Sequence, residues 1–232
     1  MNVLRMLQPA RRVSPDMIAK FSKIPVANVS DVMMRLTAGG SRLRPMHAGG
    51  VLAGPAFTVK TRPGDNLIIH KAIDMAQPGD VVVIDAGGDL TNSLMGEMML
   101  SWAEKRGIAG VILNGAIRDL AYIREHSFPV FAAGVTHRGP YKSGPGETNV
   151  PVAIDGMVIE PGDLVMGDDD GIMCVPYDVL NEVYDAAAKK SAGEVKQLDA
   201  ILSGAYGSSE RKWVDKALSE SGFEFVYERA KS

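Results

Sequence analysis

The stretch Gly110-Val111-Ile112-Leu113-Asn114-Gly115-Ala116-Ile117-Arg118-Asp119 opens on an apolar run and closes on a guanidinium beside a carboxylate. Residues 109–113 read as a buried strand, and a short helix is predicted around 117–124. Arg118 and Asp119 therefore emerge at the carboxyl end of the strand. In open α/β sheets this is where ligands bind. The same ten residues thus predict an α/β fold and the place in it where chemistry belongs.

Outward from this run, the tripeptide Pro-Gly-Asp occurs three times, at 63–65, 78–80 and 161–163. Pro78-Gly79-Asp80-Val81-Val82-Val83-Ile84-Asp85 and Pro161-Gly162-Asp163-Leu164-Val165-Met166-Gly167-Asp168 each read as a turn feeding a buried strand that ends in an acid. Their irregular spacing marks reused turn chemistry, not a solenoid repeat. Ser14-Pro15-Asp16 starts a helix, with a capping serine, proline at the first helical position and an acid near the positive end of the dipole. Apolar positions at helical spacing follow over 29–36, stopped by Gly39-Gly40. Phe57, Val59 and Thr61 alternate as a half-buried strand does, and 66–76 reads as a helix burying Leu67, Ile68, Ala72, Ile73 and Met75.

A further helix is expected over 95–106, a strand over 129–132 and a long turn-rich loop over 138–150. Short strands are expected at about 151–154, 157–160, 164–167 and 172–175, with Asp155-Gly156 as a hairpin turn. From residue 177 to about 201, and again near 210–220, the pattern is helical. No stretch is long enough to link two autonomous domains. Residues 1–232 are expected to form one α/β domain, with a core at about 20–176 and a helical C-terminal tail at 177–232.

Apolar residues make up 46% of the chain and aromatics only 6%, so the core is expected to be aliphatic. A net charge of −3 argues against a nucleic-acid partner, which calls for a basic face. No stretch approaches the ~20 apolar residues that span a bilayer, and residues 1–12 are too short and polar for a secretory signal. A cytoplasmic protein with no membrane partner is the expectation. The single cysteine, Cys174, sits in an apolar run and reads as a small buried hydrophobe.

The candidate chemistry lies in Gly96-Glu97-Met98-Met99 and Arg118-Asp119. The first amides of a helix opening at Gly96 lack intrahelical partners, so Met98 and Met99 can present N–H groups to an anion. Arg118 offers a planar fork suited to a carboxylate. Asp119 offers a hard oxygen ligand, and one carboxylate with several waters is typical of Mg²⁺ sites. Glu97 could accept a hydrogen bond from a metal-bound water or move a proton. Taken alone, the residues also admit a plainer reading, a helix cap and a solvated ion pair with Glu97 in an ordinary dipole role.

Glu97, twenty residues, then Arg118-Asp119 resembles the mark of the class II pyruvate aldolases related to RraA, an acid spaced by twenty residues from Arg-Asp. The likeness extends through Val29-Ser30-Asp31, Gly54-Pro55-Ala56, Gly64-Asp65-Asn66, Pro78-Gly79-Asp80, Gly115-Ala116-Ile117 and Pro161-Gly162-Asp163 to Gly171. That family cleaves 4-hydroxy-4-methyl-2-oxoglutarate or 4-carboxy-4-hydroxy-2-oxoadipate to pyruvate and a second oxoacid, and also decarboxylates oxaloacetate. The resemblance implies a layered α/β/β/α sandwich of the swivelling phosphohistidine-domain kind, with a helical appendage. It implies a Mg²⁺ or Mn²⁺ cofactor on Asp119 and a metal-stabilised pyruvate enolate gripped by Arg118. It further implies a pyruvyl carboxylate held by the amides of the 96–99 turn, and Glu97 supporting the metal's waters and proton transfer. Homotrimers or hexamers with intersubunit sites are implied as well.

Two positions depart from the family pattern. No clear glutamate in the tail matches the acid that a neighbouring subunit contributes, Glu194 and Glu210 being the candidates, and Asn114 stands where an aspartate often precedes Gly-Ala. The alternative within the same likeness is an RraA-type binding protein that regulates ribonuclease E; such regulators lack the aspartate that follows Arg118 here. The remaining polar features read as ordinary. His47, His70, His126 and His137 show no ligand spacing, and His70 reads as a packing or interface residue. Asp168-Asp169-Asp170-Gly171 lacks the spacing of an EF-hand and reads as a turn. Gly87-Gly88-Asp89 lacks a dinucleotide fingerprint.

Overall fold

The computed structural model describes residues 4–37, 39, 41–224 and 226. Residues 1–3, Gly40 of the Gly39-Gly40 stop and 227–232 of the tail lie outside them. The strands are β1 (Leu4–Met6), β2 (Arg44–Pro45), β3 (Leu52–Thr61), β4 (Val81–Asp85), β5 (Ser93–Met95), β6 (Gly110–Ile117), β7 (Val130–Val135), β8 (Gly146–Thr148), β9 (Val152–Ile154), β10 (Met157–Ile159), β11 (Leu164–Asp168) and β12 (Gly171–Val175). The helices are α1 (Pro15–Phe21), α2 (Val26–Val32), α3 (Leu67–Met75), α4 (Glu97–Lys105), α5 (Leu120–Arg124), α6 (Leu180–Leu202) and α7 (Lys212–Glu220).

The chain divides into two compact units, residues 1–188 and 189–232. In the first, the sheet runs β1-β8-β3-β4-β6-β7-β2, and β5 adds to the far half of β6. Strands β3, β4, β6 and β7 are mutually parallel neighbours. The first half of β3 pairs with β11 (Leu52 with Gly167, Pro55 with Leu164) and the second half with β4 (Ala56 with Val81). One long strand therefore belongs to both sheets and locks them together.

Alternation along the strands separates three apolar layers. Val82 and Ile84 of β4, with Val111 and Leu113 of β6, meet Ile68, Ile69 and Ala72 of α3, Leu100 of α4 and Ile123 of α5. Val81, Val83 and Ile112 point the other way, onto Val152, Ile154 and Met157 of the β9-β10 hairpin and Val165, Ile172 and Cys174 of β11 and β12. The outer face of β11 and β12, with Leu164, Met166, Met173 and Val175, packs on Phe21 of α1, Val29 of α2 and Val183 of α6. The result is the α/β/β/α sandwich. It explains the unbroken apolar runs in β4 and β6: a strand covered on both faces needs apolar residues at every position. Each fully buried Val or Ile contributes about 1.5–3 kcal/mol relative to exposure.

The three Pro-Gly-Asp turns are alike. In each, the Asp N–H bonds the carbonyl three residues back (Asp65 to Arg62, 3.0 Å; Asp80 to Gln77, 3.0 Å; Asp163 to Glu160, 3.1 Å). The glycines lie at φ 77°, 85° and 86°, where Pro then Gly makes a type II turn. The adjacent Arg11 and Arg12 bind two of these acids, Asp163 and Asp80 respectively.

Several boundaries differ from the local expectation, each for a tertiary reason. Helix α2 begins at Val26 because Asp168, from β11, accepts its N–H at 2.9 Å. It ends at Val32, before Met34 and Arg35 turn left-handed (φ 56° and 62°) and well before the glycines. Within the expected 138–150 loop, β8 is a strand because β1 and β3 bond it on both sides. Strand β6 runs on to Ile117, and the helix expected from 117 is the five-residue α5.

In the second unit, the remainder of α6 carries exposed Val195, Leu198 and Leu202, and α7 carries exposed Trp213. Glu194 pairs with Lys190 at 2.8 Å. Glu210 accepts from Ser209 Oγ (2.6 Å) and Gly207 N–H (2.9 Å), bonds that hold its carboxyl below the usual glutamate range. Among the described residues no helix is long and apolar enough to cross a membrane.

Candidate active site

Parallel pairing of β5 with the end of β6 (Met95 with Ile117) sets Gly96 beside Arg118 and Asp119. The Arg118 N–H bonds Met95 O at 3.0 Å, and the Ile117 carbonyl accepts from Thr136 N–H at 2.9 Å. Asp119 is left-handed (φ 59°, ψ 40°) and stands just before α5. That conformation is uncommon for a residue with a side chain, although Asp tolerates it. It turns the carboxylate back toward α4, where Oδ2 accepts the N–H of Glu97 at 2.9 Å.

Gly96 makes this approach possible. Its φ of −157° is ordinary extended backbone, so the need for glycine is one of space. A Cβ there would collide with Asp119 Oδ2 and lie 2.8 Å from Arg118 Cγ. Arg118 Nε stands 3.7 Å from Asp119 Oδ2. Among the described residues, the terminal nitrogens of Arg118 and the Oδ1 of Asp119 have no hydrogen-bond partner.

A cavity of about 150 Å³ opens here, lined by Gly96, Met98, Met99, Arg118 and Asp119, together with Asn66, His70 and Lys142. A shallower, more open hollow of about 340 Å³ lies on Arg118, Asp119, Val135, Thr136 and His137. The structure thus brings Gly96, Met98, Met99, Arg118 and Asp119 onto one cavity. Glu97 differs: its N–H is given to Asp119, while its exposed side chain is not part of the cavity wall. Met99 N–H is already bonded to Gly96 O at 3.1 Å, which leaves Met98 N–H, among the amides of residues 97–99, to meet an anion.

Three lining residues were not among the expected site residues. Asn66 and His70 reach the cavity from the start of α3, and Lys142 from the loop before β8. His70, read as a packing or interface residue, is exposed at the cavity rim. Burial beneath its neighbours, then the charge of Lys142, push its pKa below the ordinary histidine value, with Asp74 opposing. Gly64-Asp65-Asn66 was a usable signal for Asn66; Lys142 had none, because loop geometry alone brings it there.

Asn114 has a defined structural role. It is 5% exposed, donates to Asp85 Oδ1 at 3.1 Å and accepts from Arg42 at 3.0 Å. An amide can face a carboxylate and a guanidinium at once, and a carboxylate cannot. Cys174 is buried, and burial first, then Asp163, push its thiol pKa up, which suits packing and not nucleophilic attack.

Among the described residues no three His, Cys, Asp or Glu side chains cluster as a ligand set. Asp119 supplies one unpartnered carboxylate oxygen beside a water-accessible cavity. That suits Mg²⁺, which keeps several waters and takes one or two carboxylates, better than a metal needing a full protein cage.

The family described as RraA-like, Aldolase/RraA, matches residues 26–174. A protein of Halalkalibacterium halodurans named "Putative 4-hydroxy-4-methyl-2-oxoglutarate aldolase" is 40% identical over 186 residues, 80% of this chain and 89% of its own. A solved structure of an uncharacterized protein from Pseudomonas syringae pv. tomato superposes with TM-score 0.78 at 26% identity, covering 86% of this chain and 98% of that one. Streptomyces coelicolor RraAS2, titled an unusual member of the RNase ES inhibitor RraA protein family, superposes with TM-score 0.74 at 28% identity, covering 82% and 98%.

Proposed function

The chain belongs to the RraA-like Aldolase/RraA family, and on that premise we propose that it is a divalent-metal-dependent pyruvate aldolase. Its substrates are of the 4-hydroxy-4-methyl-2-oxoglutarate or 4-carboxy-4-hydroxy-2-oxoadipate type, with oxaloacetate decarboxylation as a side activity. The observation that carries this reading is the convergence of Asp119, with one free carboxylate oxygen, and Arg118, with its fork unengaged, on the cavity that Gly96 leaves open.

Asp119 would hold Mg²⁺ or Mn²⁺. Such a cation, when bound, supplies Lewis-acid polarisation of a 2-oxo group. Arg118 binds the pyruvyl end and shares the charge that grows on its oxygen as the carbon–carbon bond breaks, an interaction strongest in the transition state. Met98 N–H orients the carboxylate. The Glu97 N–H bond holds Asp119 at its angle, and the Glu97 carboxylate, outside the cavity wall, is assigned to the proton carried in from solvent. Assembly into trimers or hexamers belongs to the same proposal, and exposed Leu4, Met6 and Leu7 at the sheet's β1 edge support it.

The test is pyruvate release from 4-hydroxy-4-methyl-2-oxoglutarate and from oxaloacetate, with Mg²⁺ or Mn²⁺ and with chelator. Release that needs metal and disappears in Asp119→Ala and Arg118→Ala, both folded, is expected. Wild-type protein that releases no pyruvate, or that is trapped through Lys142 by borohydride and pyruvate, overturns it. The likeness to RraAS2 favours a second reading, a protein that binds ribonuclease E. Capture of the ribonuclease in a pull-down by a catalytically silent wild type would select that reading.

A further inference from the structure

Arg118 and Asp119 stand in two walls at once. One is the cavity beside Gly96, and the other is the open hollow of about 340 Å³ that they share with Val135, Thr136 and His137. The loop that forms this second wall is held down at several points. Thr136 N–H bonds Ile117 O at 2.9 Å, and Arg138 O accepts both Ser93 N–H (2.8 Å) and Ser93 Oγ (2.9 Å). Asn92 Nδ2 donates to Gly139 O. Ser93 and Asn92 are 1% and 5% exposed, so two buried polar side chains are spent on the carbonyls that follow His137. The loop also runs close to the guanidinium, since a Cβ at Gly139 would lie 3.7 Å from Arg118 Nη1. Residues 136–139 are therefore fixed to the ends of β5 and β6, the strands that set Gly96 against Asp119.

His137 stands on this fixed backbone and is exposed. The Nδ1 atoms of His47 and His126 are engaged by the backbone of Val130 and Tyr122, whereas His137 makes no hydrogen bond or ion pair among the described residues. Its neighbours in the hollow cannot carry a proton in its place. A guanidinium does not release its proton, a threonine hydroxyl is too weak an acid, and Asp119 is the group that would hold the metal. In the opposite cavity, burial and the charge of Lys142 favour the neutral form of His70, which has no proton to give. Glu97 lines neither wall, so the last transfer, to carbon, needs another group.

We propose that His137 is the proton carrier of the second wall, giving a proton to C3 of the pyruvate enolate that carbon–carbon cleavage leaves. The imidazolium N–H bond breaks, the electron pair of the enolate double bond forms the new C–H bond, and the 2-oxo group is restored. The neutral imidazole then regains its proton from solvent. Run in reverse, the same ring takes a proton from C3. Histidine changes charge between about pH 5 and 8, which suits it to both directions. The proposal rests on the aldolase reading of Arg118 and Asp119 and adds the acid that completes the turnover.

The experiment follows exchange of the C3 protons of pyruvate in deuterated water with Mg²⁺, by NMR. Exchange needs the enolate and proton transfer but breaks no carbon–carbon bond. His137→Ala should exchange about 10²-fold more slowly than wild type, the usual worth of a positioned acid–base group, with its calorimetric affinity for pyruvate unchanged. Added imidazole should restore much of the lost rate in His137→Ala and none in Arg118→Ala. Three results overturn the proposal and leave the aldolase reading standing: exchange within about threefold of wild type, a loss that imidazole does not restore, or a loss matched by weaker pyruvate binding. Exchange lost instead in His70→Ala, and regained there with imidazole, would move the proton to the first cavity and overturn it too. Wild type that exchanges nothing, or Arg118→Ala that exchanges normally, refutes the aldolase reading and takes the role of His137 with it.

Discussion

Gly96→Ala separates the chemistry of this site from its stability. The backbone at Gly96 is extended (φ −157°), which alanine adopts without strain. The added methyl instead overlaps Asp119 Oδ2 and lies 2.8 Å from Arg118 Cγ. To reach ordinary contact the carboxylate must retreat by about 1 Å, and a displacement of that size at a reacting centre costs about 10²-fold in rate. The retreat also breaks the Glu97 N–H bond to Oδ2. Both side chains are part-exposed, 48% for Arg118 and 40% for Asp119, so water replaces what is lost and the stability change should stay near ~1 kcal/mol. The assay is kcat/KM for pyruvate release beside a urea melt. A fall of about 100-fold with a nearly unchanged melt is expected. Activity within about threefold of wild type would mean that Asp119 need not stand where Gly96 lets it, and the reasoning about the cavity would collapse.

Two other changes probe the surrounding framework. Asn114→Asp puts a carboxylate 3.1 Å from Asp85 and deletes the donor between them, with Arg42 compensating only in part. The variant should lose about 1–3 kcal/mol at neutral pH. Like charges raise the folded-state pKa of the pair, so the penalty relative to wild type should be smallest below the ordinary carboxylate range and grow as pH rises through the raised value; urea melts of both proteins at several pH values read this. Asp65→Asn removes the acceptor shared by Ser143 and Gly144, and should cost about 3 kcal/mol. In the native protein burial alone would raise the Asp65 pKa, yet bonds from Ser143, Leu67 and Gly144, with Arg62, together hold it below 3.8. Its contribution is therefore present above pH 3.8 and lost as pH falls through the lowered value. The gap between wild type and Asp65→Asn should narrow on acidification; a constant gap would show that the Asp65 charge is not what holds the loop.

The misreadings share a cause. Ser93-Leu94-Met95 and Gly146-Glu147-Thr148 have weak strand character and become β5 and β8 only because partners bond them. Gly146 is compelled by packing, since a Cβ there would collide with Ile68 Cγ2 of α3. The Asn114-Gly115-Ala116 segment looks like the end of a strand, but β4 pairs its first residue and β5 its last, carrying β6 on to Ile117. Asn66 and Lys142 are 76 residues apart in sequence (142 less 66) and meet in one cavity through Asp65. Their relation has no local signature.

By itself the sequence determined an α/β fold, the central strands and the end of the sheet at which Arg118 and Asp119 stand. Apolar runs, strand alternation and Pro-Gly-Asp turns act over a few residues, and burial on two faces leaves its mark at every position of β4 and β6. The tertiary structure alone decided what those two residues can do. Pairing of β5 with β6 brings Gly96 against Asp119, and a left-handed backbone aims the carboxylate at Glu97 N–H. Both depend on close approach between segments distant in sequence, and such contacts leave little trace in the local pattern of residues.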